Sequence, residues 1–162
     1  MNRIVMIMVL AAIFNISSIY GQDRMSVVKK IKGIEYKFEI DRSEVRRANR
    51  PTYRITTELG KDYELDKNEI IPNTMKKILG KKRLEELKKR KILLKFVCDS
   101  NGKVKDVVFL SSTKGIPFTD IEIYKLEKEF LKQQFPIIKF ADKEKLGDLI
   151  FVYPVTLSKL VE

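Results

Sequence analysis

Residues Ile92–Ser112 read ILLKFVCDSNGKVKDVVFLSS, two runs of β-favouring residues on either side of Asn101-Gly102. An Asn-Gly pair tolerates the positive φ angles of a two-residue type I′ turn, so the stretch predicts a β-hairpin. With Asn101 and Gly102 as the loop, Ser100 faces Lys103, Cys98 faces Lys105, Phe96 faces Val107 and Leu94 faces Phe109. Side chains alternate along a strand, which puts Ile92, Leu94, Phe96, Cys98, Val107 and Phe109 on one apolar face. The other face carries Lys95, Asp99 and Asp106 together with Leu93, Val97, Val104, Val108 and Leu110. That face is too apolar to stand bare in water, so something is expected to cover part of it. A slip of one residue would drive Lys95 and Asp106 into the core, and this fixes the register.

Downstream, Thr119-Asp120-Ile121-Glu122 has the spacing of a capping box, with Thr119 as N-cap and Glu122 reaching back to it. Ile123, Leu126 and Phe130 then run down one side of a helix expected over Thr119–Gln134, with Pro136 barring extension. Ala141–Asp148 reads as a charged turn. The last element is a strand, Leu149–Leu157, with Leu149, Phe151, Tyr153, Val155 and Leu157 on one face. Pro154 lacks an N–H and argues for an edge strand, or a bulge, rather than a central strand. Such an edge invites a partner strand, which makes Leu149, Phe151, Tyr153 and Val155 the candidate partner-binding residues.

Upstream, Pro72-Asn73 predicts a helix start with Asn73 as N-cap, and Gly80 predicts a break before a second segment, Lys81–Arg90. Lys81, Lys82, Arg83, Lys88, Lys89 and Arg90 form a candidate basic patch there. No aromatic residues interleave with them as base-stacking platforms, so nucleic acid is not the expected partner. The patch reads as the polar side of an amphipathic helix, with weak contact to an anionic membrane surface as the remaining reading. Ile34–Ile40 alternates strictly and predicts a half-buried strand. Asp41–Ala48 reads as a turn of helix, Thr52–Glu58 as a second strand, and Glu58–Glu69 as a connector. The two strands are expected to pair and to cover the second face of the central hairpin.

At the front of the chain, Met1-Asn2-Arg3 precedes an unbroken apolar run, Ile4–Phe14, and then a more polar stretch to Gly21. This is the layout of a secretory signal peptide, cleaved after Gly21, which predicts a periplasmic or secreted mature chain. Three regions follow: residues 1–21 as signal, 22–71 as a β-rich extension, and 72–162 as an α+β domain. Of the 162 residues 44% are hydrophobic, and 33 Lys plus Arg against 22 Asp plus Glu give a formal net charge of +11. There is no histidine, so neither a Ser-His nor a Cys-His nucleophile can be assembled. The one cysteine, Cys98, lies on the core face, where a thiol acts as a small hydrophobe.

The order helix, hairpin, helix, strand from about residue 72 to 157 resembles the TonB C-terminal domain family. The residues that carry the resemblance are Leu94–Val107, LKFVCDSNGKVKDV, which look like the family's V-x-F-x-V-x-x-x-G-x-V-x-x-V core. Ser111-Ser112, Phe135-Pro136 and Gly147 fall where the family has similar residues. The resemblance implies a two-layer α+β sandwich: an antiparallel sheet with helices on one face, α-β-β-α-β in order, here with an N-terminal β segment. It also implies a non-enzymatic role in which the last strand takes up a strand from an outer-membrane or envelope protein, or from a second copy of the chain. The long Pro-rich spacer of energy-transducing TonB is missing: the chain has 5 prolines, none clustered. The expected function is therefore a periplasmic protein-binding module; the alternative is a membrane-anchored TonB-type transducer for outer-membrane transport. No catalytic or metal-binding constellation stands out, and no cofactor is expected.

Overall fold

The computed structural model describes residues 25–53, 63–65, 69–139 and 147–161. Three short strands come first: β1 (Ser26–Ile31), β2 (Ile34–Glu39) and β3 (Glu44–Arg47). They are followed by β4 (Tyr63–Leu65), α1 (Ile70–Leu87), β5 (Lys91–Cys98), β6 (Val104–Ser111) and α2 (Asp120–Phe130). The chain closes with β7 (Ile137–Lys139), β8 (Leu149–Thr156) and a 3-10 turn, Leu157–Leu160. Six strands form one antiparallel sheet in the order β1-β2-β3-β6-β5-β8, and β4 pairs with β7 in a separate ribbon. The helices pack on one face of the large sheet, giving the expected α+β sandwich.

The central hairpin keeps the expected register through its body, Leu94 opposite Phe109 and Phe96 opposite Val107, but its turn is different. Gly102 N–H donates to the Asp99 carbonyl (3.0 Å) and Asp99 N–H donates to the Lys103 carbonyl (2.9 Å). Gly102 has a positive φ (83°) and Asn101 does not, so this is a four-residue turn rather than a two-residue type I′ loop. Asp99 decides it: its Oδ1 accepts from the N–H groups of Asn101 (2.9 Å) and Lys103 (3.0 Å). Cys98 consequently faces Val104, not Lys105, and a bulge beside Val97 absorbs the extra residue before Val97 meets Asp106.

The core lies between this hairpin and the helices. The Phe96 ring meets Phe130 edge-on (5.2 Å, 82°), Phe135 edge-on (5.2 Å, 69°) and Phe151 stacked (5.1 Å, 21°). Such pairs contribute about 0.5–1.5 kcal/mol each beyond their buried area. Cys98 is fully buried in the same layer, and burial pushes its thiol up to about 12. The capping box of α2 forms as expected: Glu122 N–H donates to Thr119 Oγ1 (3.2 Å) and Thr119 N–H to Glu122 Oε2 (2.8 Å). The helix ends at Phe130, short of Gln134, because the following residues bond to the hairpin loop. Val104 N–H donates to the Gln133 carbonyl (3.2 Å) and Phe135 N–H to the Gly102 carbonyl (2.9 Å).

Helix α1 begins at Ile70, before the expected Asn73 cap; the Asn73 N–H already donates to the Glu69 carbonyl (2.8 Å) inside the first turn. The break at Gly80 (φ 71°, ψ 163°) is present. The N-terminal region departs furthest from expectation. Asp41–Ala48 holds no helix; it turns and forms β3, captured by β2 (Phe38 opposite Val45) and by β6 (Val45 opposite Phe109). Side-by-side pairing in a sheet outweighs local polarity here. Strand β1 had no expectation at all, and β4 falls inside the stretch expected to be a connector. Thr52 and Tyr53 are not in a strand; the rest of Thr52–Glu58, the signal segment 1–21 and most of Ala141–Asp148 lie outside the described residues. Above all, β1–β3 extend the sheet beyond β6 and do not cover the hairpin's second face.

Candidate functional site

Strand β8 closes one end of the sheet, paired to β5 from Leu149 opposite Cys98 to Thr156 opposite Lys91. The side chains of Leu149, Phe151 and Val155 turn into the core and are buried, and Tyr153 is half-buried. These residues hold the strand in place. What β8 presents outward is the 50% exposed Val152 and Pro154. Beside its C-terminal half runs a groove of about 360 Å³. One wall is the start of α1 (Pro72, Asn73, Lys76) and the other is four consecutive β8 residues, Tyr153–Thr156. Consecutive residues point to opposite faces, so a groove lined by all four follows the backbone edge itself.

The basic residues do not form one uniform patch. Arg83 is a clamp: its Nε and Nη2 donate to Glu122 (2.7 and 3.2 Å), its Nη2 also to the Pro117 carbonyl (3.0 Å), and Nη1 to Glu86 (2.9 Å). It ties α1 to the N-terminus of α2. Lys88 pairs with Glu85 (3.2 Å), while Lys81, Lys82 and Lys89 are exposed and Arg90 is half-buried. Glu85 and Glu86 sit among these cations, as on an ordinary solvated helix face.

Sequence reading missed a buried polar cluster where β3 parts from β6. Glu127 lies on the apolar stripe of α2, 1% exposed, between Ile123, Leu126 and Phe130. It accepts from Tyr36 Oη (2.6 Å), Arg47 Nε (2.7 Å) and Arg47 Nη2 (3.1 Å). Burial first, and the Glu127 bond second, push the Tyr36 phenol well above the ordinary tyrosine range. The signal was available: Glu127 falls at the helical spacing of Ile123, Leu126 and Phe130, so its carboxylate had to be buried and partnered.

Behind it, on the second face of β6, Asp106 is 2% exposed. Its Oδ1 accepts from the Val107 N–H (3.0 Å), and Oδ2 lies 3.4 Å from Arg50 Nη1 without a hydrogen bond. Burial raises the Asp106 carboxyl against the pull of Arg50 and the Val107 N–H. The Tyr53 ring is flanked by Arg50 (5.7 Å) and Lys105 (5.6 Å), and burial pushes its phenol up to about 12. Arg50 and Tyr53, in the run just after β3, therefore lie against part of the hairpin's second face. A buried carboxyl with a raised pKa can serve as a general acid, but this one is turned toward its own backbone and an arginine, as an anchor is. Among the described residues no three His, Cys, Asp or Glu side chains converge to hold a metal ion, and no helix is long and apolar enough to cross a membrane.

No family model and no curated protein matches the sequence. A solved structure does: a DUF5043 family protein from Bacteroides uniformis ATCC 8492, with a TM-score of 0.60. It is 13% identical, and the match covers 82% of this chain and 85% of that one. The likeness is one of fold.

Proposed function

We propose that this chain is a non-enzymatic interaction module of the cell envelope that takes up an extended segment of a protein partner along β8. The observation that carries the reading is the position of β8 at the end of the sheet, with the edge of Tyr153–Thr156 opening into a groove of about 360 Å³. A strand added there continues the antiparallel ladder, the backbone supplying affinity and the groove between the start of α1 and β8 supplying selectivity. The resemblance of residues 72–157 to TonB C-terminal domains supports the same mode of binding. The apolar N-terminal run with its basic start supports export, and the missing Pro-rich spacer argues against a transducer spanning the envelope.

The experiment must block the backbone and spare the core. Phe151 and Leu149 are unsuitable because their side chains are buried. N–H groups alternate sides along a strand, so that of Val152 points the same way as the Pro154 nitrogen. Val152→Pro therefore removes an outward donor and leaves the β5 ladder intact, with Val152→Thr as control. Envelope protein captured by the parent chain and by Val152→Thr should be lost with Val152→Pro. The captured protein should also slow hydrogen exchange of the outward-facing amides of Val152 and Thr156 in the parent chain. Equal capture by all three chains, or unprotected β8 amides, overturns the proposal.

A further inference from the structure

At the opposite end of the sheet, the helix-side face carries apolar surface that α2 does not reach. Val27 stands opposite Phe38 in the β1–β2 register and is 45% exposed. Met25 and Ile40 continue the pairing through an Ile40 N–H to Met25 carbonyl bond (2.9 Å) and are 63% and 42% exposed. This stripe leads into a crevice of about 330 Å³ between the β2–β3 turn and the loop before α2, walled by Phe38, Val45, Ile116 and Phe118. Its volume is at the lower end of small-molecule sites, at roughly 300–1,000 Å³.

The crevice is pre-formed. Ser43, at φ 47°, accepts from the Gly115 N–H on its Oγ (2.9 Å) and from the Ser111 N–H on its carbonyl (3.0 Å). These bonds tie the loop to the β2–β3 turn across the opening, so little ordering is needed on binding. Its charges are nearly all spoken for. Lys29 pairs with Asp120 (3.2 Å), Lys37 with Glu39 (3.3 Å), and Arg46 with both Glu39 (3.1 Å) and Glu44 (3.1 Å), so two cations balance the two glutamates. Lys114, exposed at the rim, has no ion pair among the described residues. One uncompensated ammonium beside an apolar wall selects for one anionic group on an apolar body.

We propose that this crevice binds a small amphiphile, an apolar chain or ring that ends in a single carboxylate or sulfonate facing Lys114. The site is independent of β8 and of the protein-binding role proposed for it.

The test is a fluorescence titration of the full chain with 1-anilinonaphthalene-8-sulfonate, followed by displacement with decanoate and, separately, with decanol. The dye should bind with an emission rise, and decanoate should displace it at lower concentration than decanol. Lys114→Glu, at an exposed rim position, should weaken dye and decanoate by about tenfold and leave decanol unchanged. Ile116→Asp should weaken all three, with unfolding midpoints and circular dichroism confirming that both variants fold. Dye binding that is unchanged in folded Lys114→Glu and Ile116→Asp overturns the proposal. So does a dye signal that falls as protein concentration rises while sedimentation shows a dimer, because a second copy of the chain then fills the crevice.

Discussion

Tyr36 donates its phenolic hydrogen to Oε2 of Glu127 across 2.6 Å, joining β2 to α2 over 91 positions of sequence. With Arg47 on the other side of the carboxylate, the bond fastens the N-terminal strands to the helix layer. A hydrogen bond to a charged acceptor is worth about 1.5–3 kcal/mol, so Tyr36→Phe should lower stability by that amount in urea unfolding. Tyr36 should also be silent where an ordinary phenol ionises, near 10.0. The ultraviolet titration amplitude in that range should be the same in the parent and in Tyr36→Phe. A smaller amplitude in the variant would show that Tyr36 titrates normally and is not held by Glu127.

Phe130 is fully buried and meets Phe96 edge-to-face at 5.2 Å. Phe130→Ala removes the anchor of α2 at the middle of the aromatic cluster and should cost about 3–5 kcal/mol. Ile121, on the same helix but 43% exposed, should tolerate Ile121→Ala within about 0.5 kcal/mol. Chemical denaturation of the pair separates core packing from helix propensity, which both substitutions alter. Similar losses in the two variants would refute the placement of Phe130.

Where local chemistry and tertiary pairing agree, the fold was legible in the sequence. The capping box at Thr119, the break at Gly80, the pairing of Phe96 with Val107 and the edge position implied by Pro154 all follow from short-range rules. The turn at Asn101-Gly102 was misread because Asp99, three residues before the glycine, competes for the same N–H groups with its side chain. β3 was hidden because Glu44–Arg47 is polar, and a strand of this kind forms only because β2 and β6 stand on either side of it. The burial of Glu127 was legible from its place on the apolar stripe of α2, but its partners Tyr36 and Arg47 come from two other elements, which no pattern within α2 reveals. The groove beside β8 needs the helix start at Ile70 as its second wall.

Gly102 sits at φ 83°, and a Cβ built on it would collide with the carbonyl oxygen of Phe135. Its own carbonyl accepts from the Phe135 N–H (2.9 Å), so the hairpin loop and the chain after α2 lie in direct backbone contact. Gly33 has a similar φ (86°) but open space around it. Gly33→Ala should therefore cost only left-handed strain, about 1–3 kcal/mol, and Gly102→Ala clearly more. Exchange of the Phe135 amide should also accelerate in Gly102→Ala alone. Equal losses in the two variants would mean that the loop yields to the methyl group.

Asp106 gives stability a pH dependence of unusual sign for a carboxylate. Burial, the largest influence, raises its carboxyl above the ordinary value in the folded chain. The folded state then holds this proton more tightly than the unfolded state, so the stability it contributes is full at low pH and declines as pH rises through that interval. Three glutamates run the other way. Burial works against ionisation of Glu39 and Glu122, but Lys37 and Arg46 outweigh it at Glu39, and Arg83 with the Thr119 N–H at Glu122. Glu129 is held at about 2 by hydrogen bonds from Lys77 and Lys132. Their contributions are full above the ordinary carboxylate range and are lost as pH falls. Asp106→Asn keeps an oxygen for the Val107 N–H and removes the cost of a buried charge, the larger influence, together with the 3.4 Å pairing to Arg50. It should therefore be more stable than the parent in urea at neutral pH, with the difference closing as pH falls through and below the carboxylate range. Loss of stability at neutral pH would show instead that the Arg50 pair, at 3.4 Å, outweighs the burial of the carboxylate.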